Sequence, residues 1–269
     1  MDDWLSGSLK YVLDNTRLGK NVEKNVLMGF GMHGYLANAI EAAQRALLTS
    51  IKIPRRGLFI VVSGIDKSGK ETHSFNLNHK KGISSMEEFL TTRGLAVKCI
   101  SQPSYNTTIG SLIFKYLRQN DSKSPVDNQI AWILWSLDRA QHNASVAEWL
   151  KNHNNIVLAK RWTESNLVYQ KALGVNIGDI LNFEKNIIKP DLIVVLDITL
   201  ETFVKRLAAT DADSYERVDL MEKARRGYME IPYIYKNGSW IYIDSNYSES
   251  DVNRTILQVL DIYLKQLDS

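Results

Sequence analysis

The sequence predicts an α/β fold: a five-stranded, parallel, doubly wound sheet with helices on both faces, preceded by a helical N-terminal extension. Three observations predict it. Short continuous apolar runs recur after residue 57, as strands buried on both faces require. Helical stretches separate those runs, which is the pattern of crossover connections. A Pro- and Gly-containing break at Lys52-Ile53-Pro54-Arg55-Arg56-Gly57 divides residues 1–55 from residues 56–269.

Before the break, Leu36, Ile40, Ala43 and Leu47 recur at helical spacing, so residues 33 to 50 read as an amphipathic helix. Its apolar stripe must be covered, either by the rest of the chain or by a protein partner. Residues 1 to 30 give no clear pattern, because glycines at 29, 31 and 34 interrupt it. After the break, strands are expected over 58–62, 95–100, 155–159, 192–196 and 240–244. Helices are expected near 128–150, 199–209, 217–230 and 249–266. In such a sheet, ligands sit at the carboxyl ends of the strands, so the residues following each strand carry the functional information.

Bulk properties exclude little but point one way. Apolar content of 44% is ordinary for a globular chain, and no apolar run reaches the roughly 18 residues of a membrane span. The start, Met1-Asp2-Asp3, has neither a secretory nor a transit pattern. The single cysteine, Cys99, leaves no intramolecular disulfide and suits a reducing compartment, so an intracellular, cytoplasmic protein is expected. The net charge of +3 is compatible with phosphorylated ligands, and no basic tract or zinc-ligand spacing signals nucleic acid.

The first strand is followed by Gly64-Ile65-Asp66-Lys67-Ser68-Gly69-Lys70, which matches G-x-x-x-x-G-K between a strand and a helix. Glycines let the backbone wrap an anion with its N–H groups turned inward, and Lys70 is expected to reach the β- and γ-phosphates of ATP. The fold is thereby expected to be that of a P-loop NTPase, with residues 64 and 66 through 72 as the ATP-binding set: Gly64, Asp66, Lys67, Ser68, Gly69, Lys70, Glu71 and Thr72. One position is unusual. The residue after the lysine is ordinarily Ser or Thr, whose hydroxyl meets Mg²⁺. Glu71 stands there, and its carboxylate faces the triphosphate unless a cation intervenes.

From Arg56 to the C-terminus the chain resembles thymidylate kinases. The resemblance rests on the order of several segments: the loop Gly-Ile-Asp-Lys-Ser-Gly-Lys, Pro103 to Gly110, Asp138-Arg139-Ala140-Gln141-His142, the run from Lys160 to Gln170, Lys189-Pro190-Asp191, and a lid-like stretch from Asp213 to Tyr228. It implies ATP as donor, Mg²⁺, dTMP or a related deoxynucleotide as acceptor, and a homodimer formed through flanking helices. It also implies roles. Asp66 meets the 3′-hydroxyl of the deoxyribose, and Arg139 hydrogen-bonds the base or its phosphate. Trp135 stacks on thymine, an aromatic face being a flat apolar platform for a base; the alternative is a core tryptophan beside Trp132. Arg161 grips the substrate phosphate and, with Lys70 and Lys67, forms the catalytic set. Ser165, Asn166, Tyr169 and Gln170 line the base and sugar pocket, with helix caps and core contacts as alternatives. Asp244, Ser245 and Asn246 approach the adenine ring, or simply build a turn.

Four departures from the family pattern bear on activity: Glu71, Lys160 in place of an aspartate, no arginine within 103–110, and Ser214 in the lid-like stretch. No metal-ligand set is complete, since the two family positions are Glu71 and Lys160. Opposite changes at neighbouring positions predict a Glu71–Lys160 ion pair; the alternative is that both side chains lie in solvent. Lys67, Arg206, Arg217, Arg225 and Arg226 are candidate compensating cations. Three readings follow: a dTMP kinase, a catalytically impaired nucleotide-binding or assembly subunit, and a kinase with a shifted acceptor.

Overall fold

The structure is a computed structural model that describes residues 3–51, 54–75, 83–118, 127–208 and 217–267. The five expected strands are β1 (Leu58–Ser63), β2 (Ala96–Ser101), β3 (Asn155–Lys160), β4 (Leu192–Asp197) and β5 (Ser239–Asp244). They form one parallel sheet in the order β2-β3-β1-β4-β5. β1 is buried along its whole length, because neighbours flank it and helices cover both faces.

Alternation along the strands separates two cores, as a period of two demands. Phe59, Val61, Val157, Ala159, Ile193 and Val195 face one side. Ile60, Val62, Ile156, Leu158, Leu192 and Val194 face the other, against α5 (Met86–Thr91) and α12 (Glu249–Leu267). The first side carries α6 (Thr108–Leu117), α7 (Asn128–Trp149), α8 (Thr163–Ala172), α9 (Ile177–Phe183), α10 (Leu200–Leu207) and α11 (Val218–Glu230). A short α4 (Lys70–His73) follows the G-x-x-x-x-G-K loop.

The N-terminal residues are more ordered than their glycines suggest. They form α1 (Asp3–Arg17), α2 (Lys24–Gly29) and α3 (Gly34–Leu48). The glycines punctuate rather than disrupt: Gly29 ends α2, Gly31 takes φ +100°, and Gly34 opens α3. Buried Gln44 ties the links, donating to Thr16 Oγ1 at 3.0 Å and Lys20 O at 2.9 Å and accepting from Val22 N at 3.2 Å. The stripe predicted on α3 is covered by the rest of the chain. Ile40, Ala43 and Leu47 join Leu5, Leu9 and Val12 of α1 in the same core as Ile109, Ile113 and Leu134 of α6 and α7. Among the described residues, no helix is long and apolar enough to cross a membrane.

Candidate active site

The loop after β1 turns through three positions of positive φ: Gly64, Lys67 and Gly69, at +129°, +59° and +98°. A Cβ on Gly64 would lie 2.3 Å from Leu196 O, so both conformation and space require glycine. From outside, Arg206 donates to Lys67 O and Ser245 O, both at 2.8 Å, and Ser245 Oγ donates to Ser68 O at 2.8 Å. From inside, buried Lys70 donates to Gly64 O at 3.0 Å, Ile65 O at 2.6 Å and Ser68 Oγ at 3.3 Å. The lysine thus spans its own loop, and a phosphate must compete with three oxygens for it. Burial, aided by nearby Arg161, pushes the Lys70 amine well below its ordinary value.

Lys160, the last residue of β3, is ion-paired with Glu71 of α4, and its ammonium lies 4.4 Å from the centre of the Phe75 ring. The two side chains are unequal: Lys160 is 9% exposed and Glu71 80%, so the carboxylate comes from solvent to a nearly buried ammonium. Thr72 is half-buried beside them. Among the described residues, no group of His, Cys, Asp and Glu side chains could hold a metal. A buried ammonium at one family position and its counterion at the other do not fit a protein-held Mg²⁺, which takes oxygen ligands.

Next to the loop lies a cleft of about 570 Å³, its open mouth included. It is lined by Asp66, Trp135, Arg139 and Arg161 with Ser165, Asn166, Tyr169 and Gln170. All eight residues expected on the acceptor side therefore share one cavity. Arg161, at φ +63°, is ion-paired with Asp66 and donates to Ser165 Oγ at 3.0 Å and Gly64 O at 3.3 Å. The Tyr169 hydroxyl donates to Asp66 Oδ2 at 3.0 Å. Burial alone would raise Asp66, but Arg161 and Lys70 overcome it and hold the carboxyl below the usual range. Trp135 is edge-on to Tyr116, with centroids 5.5 Å apart. Trp132 is the core tryptophan, 1% exposed and packed on Phe183.

The other expected cations and turn residues have structural partners. Arg225 forks onto Asp197 at 2.7 and 2.8 Å, Arg217 pairs with Asp219, and Arg226 pairs with Glu222. Asp244 accepts from Asn246 N at 2.9 Å, and Asn246 Oδ1 accepts from Thr199 N at 2.9 Å. Asp244 and Asn246 thus close a turn. Ser214 and residues 213–216 of the lid-like stretch lie outside the described residues.

Sequence reasoning missed several residues. Gln102, Leu117 and Trp162 line the cleft, and Glu184 and Tyr228 lie behind it. Gln102 is signalled only by its place at the end of β2, joined to Pro103 by a cis peptide. Glu184 has no local signal, since its partners lie 18 to 48 residues away.

Asp138, behind the cleft, accepts from Ser104 N at 2.9 Å and Gln141 Nε2 at 2.6 Å. Burial pushes its carboxyl up to about 6, although the Ser104 N–H and Arg139 pull the other way. That value lies above the roughly 3.9 of an unfolded chain. The folded protein then binds more protons between the two values, and stability falls as pH rises through that window. Asp138→Asn is expected to remove this fall, changing the variant-minus-wild-type stability by on the order of 2 kcal/mol between pH 4.5 and 7.5. Denaturant unfolding at the two pH values checks it; parallel pH slopes for both proteins would refute it.

A parallel sheet with a G-x-x-x-x-G-K loop after its first strand defines the class, a P-loop NTPase fold. A family model described as thymidylate kinase matches residues 62–256. The chain is 29% identical over 214 residues to thymidylate kinase of Dictyostelium discoideum, covering 79% of this chain and 89% of that one. It is 31% identical over 188 residues to a probable thymidylate kinase of Methanocaldococcus jannaschii, covering 70% and 87% respectively. The solved thymidylate kinase of Candida albicans superposes with a TM-score of 0.59 at 22% identity, over 78% of this chain and 94% of that one, which shows the shared fold. The chain belongs to the thymidylate kinase family, and with membership comes a thymidylate-kinase-like, nucleotide-binding function.

Proposed function

We propose that this protein transfers the γ-phosphoryl group of ATP to dTMP or a closely related deoxynucleoside monophosphate. One observation carries the reading: the acceptor-side residues share a cleft whose wall includes Asp66 of the loop itself and Arg161, which bonds to the loop. Acceptor and donor phosphates are thereby brought to a common edge of the sheet.

The base pocket supports a thymine-type edge. Asn166 Nδ2 donates to Glu184 Oε1 at 3.0 Å, and a carboxylate held ionised can only accept, so the amide orientation is set. Its Oδ1 is buried without a protein partner. Arg139 uses Nε and Nη2 on Glu184 and also lines the cleft. An acceptor beside a donor complements the N3–H and O4 of thymine, whereas cytosine offers an acceptor and an amine.

In the transfer, a phosphate oxygen of the acceptor forms a bond to the γ-phosphorus. The bond from that phosphorus to the β,γ-bridging oxygen breaks, and ADP leaves with the electron pair. Loop N–H groups and Lys70 bind the polyphosphate, and Lys67 adds charge beside it. Arg161 passes from Asp66 toward the acceptor phosphate, a bidentate match for its guanidinium. Because Glu71 and Lys160 do not fit a metal, no step is assigned to one.

The Glu71–Lys160 pair favours a second reading, binding with little or no turnover. Coupled detection of ADP release with ATP, Mg²⁺ and each deoxynucleoside monophosphate, beside calorimetric binding, separates the two. Turnover at ordinary kinase rates supports the first; tight binding without ADP release supports the second; neither binding nor turnover overturns both. Residues 1–55 are read as an appendage to a kinase domain over 56–269 in an intracellular protein. The homodimer that the family resemblance implies is tested by the oligomeric state in solution.

A further inference from the structure

Glu184, at the end of α9, is fully buried, and its carboxylate does not line the cleft. A buried charge is costly unless its lone pairs are met. Here they are met by side chains from two other helices. Ser136 Oγ and Arg139 of α7 donate to it, at 2.6 Å for Ser136 and 3.1 Å for Arg139 Nε, with Arg139 Nη2 closing an ion pair. Thr163 Oγ1 and Asn166 Nδ2 of α8 donate at 2.7 and 3.0 Å. Burial alone would raise this carboxyl, but Arg139 and the donors hold it below the usual range. It therefore stays an acceptor, and every donor around it is oriented by that fact.

Two of those donors, Arg139 and Asn166, line the cleft, while Ser136 and Thr163 do not. We propose that Glu184 is the positioning residue of the base pocket: from outside the cleft it orients Arg139 and Asn166 together and so sets which pyrimidine edge is accepted. This rests on the reading of the cleft as a pyrimidine-nucleotide pocket. The physical content is a constraint on Asn166. With a carboxylate behind it, the amide must turn Nδ2 toward Glu184 and Oδ1 away from it. With a neutral amide at 184, which both donates and accepts, Asn166 can turn over and present Nδ2 instead. The pocket edge then loses its acceptor for the N3–H of thymine, whereas the N3 of cytosine, an acceptor, meets a donor, so the preference between the two bases narrows.

The test is binding of dTMP and of dCMP to the full chain by calorimetry, so that no turnover is needed. Wild type is expected to prefer dTMP. Glu184→Gln is expected to lower the dTMP-to-dCMP affinity ratio by about tenfold or more, chiefly by losing dTMP, since a polar contact made or missed governs discrimination of this kind. Glu184→Asp keeps the charge and is expected to keep dTMP preferred, at a ratio a few-fold below wild type. Melting temperature and near-ultraviolet circular dichroism show which variants are folded. A wild type that does not prefer dTMP removes the pocket reading and the proposal with it. A wild type that prefers dTMP, beside a folded Glu184→Gln with an unchanged ratio, overturns the proposal alone. Should Glu184→Gln fail to fold, an unchanged ratio in Glu184→Asp overturns it equally.

Discussion

Changing Glu71→Ser and Lys160→Asp together is expected to raise ADP release from ATP and dTMP by about two orders of magnitude and to make it depend on Mg²⁺. The pair now joins an ammonium that is 9% exposed to a carboxylate that is 80% exposed. Each single change leaves one charge in the wrong company. Glu71→Ser strands the nearly buried Lys160 ammonium, at a cost of about 1–2 kcal/mol, less than for a fully buried pair because Glu71 is so exposed. Lys160→Asp sets two carboxylates side by side at the edge of the polyphosphate loop, where they repel each other and the nucleotide. Only the double change places a hydroxyl and a carboxylate together, the oxygen donors that Mg²⁺ accepts with phosphates. Nucleotide affinity with Mg²⁺ and with chelator provides a second readout, expected to differ little in wild type and strongly in the double variant. If the double variant is no more metal-dependent than wild type, the pair does not stand in for a metal site. If Lys160→Met, which adds no carboxylate, abolishes vigorous wild-type turnover, Lys160 is itself the working cation.

The next largest effect is expected from Gly110→Ala. Gly110 lies in the first turn of α6, and a Cβ there would sit 1.9 Å from Ser104 O and 2.3 Å from Ser104 C. Both are backbone atoms and cannot rotate away. The segment is also held elsewhere: Ser104 N donates to Asp138, Thr107 Oγ1 donates to Ser104 O at 2.9 Å, and Gln141 donates to Thr107 Oγ1 at 3.1 Å. A methyl group must therefore displace the stretch that carries Gln102, Pro103 and Tyr105 into the cleft. Overpacking of this kind is expected to cost about 2–4 kcal/mol and lower the melting temperature by roughly 5–10 °C. dTMP affinity should fall more than about tenfold, since a displaced wall misplaces the substrate. Calorimetric melting and dTMP titration check it, and a variant with native stability and affinity would show that the close approach is not maintained in solution.

How much was legible in the sequence depended on how local each feature is. The strands were visible because burial on both faces leaves uninterrupted apolar runs such as Leu58 to Val62. The helices at 1–30 were not, because Gly29, Gly31 and Gly34 act at the boundaries between helices and a window average reads them as breaks. Trp132 and Trp135 are one turn of α7 apart, and nothing in their immediate neighbours distinguishes the core residue from the one in the cleft. The candidate cations illustrate the same limit. Arg206 and Arg225 have the right charge, yet their partners, Lys67 O and Asp197, lie 139 and 28 residues away.

By itself the sequence determined the class of fold, the phosphate loop and the two opposite charges at 71 and 160. Those depend on periodicity, on glycine conformation and on residue type at known offsets, all properties of short stretches of chain. Tertiary structure alone decided that Lys70 turns into its own loop, that α1 and α3 cover α6 and α7, and that Glu184 commands Arg139 and Asn166. Each of these is a choice of partner for a buried polar group or apolar face. Such a partner is selected by proximity after folding, when a group removed from water must take the nearest complementary atom, wherever in the chain it comes from.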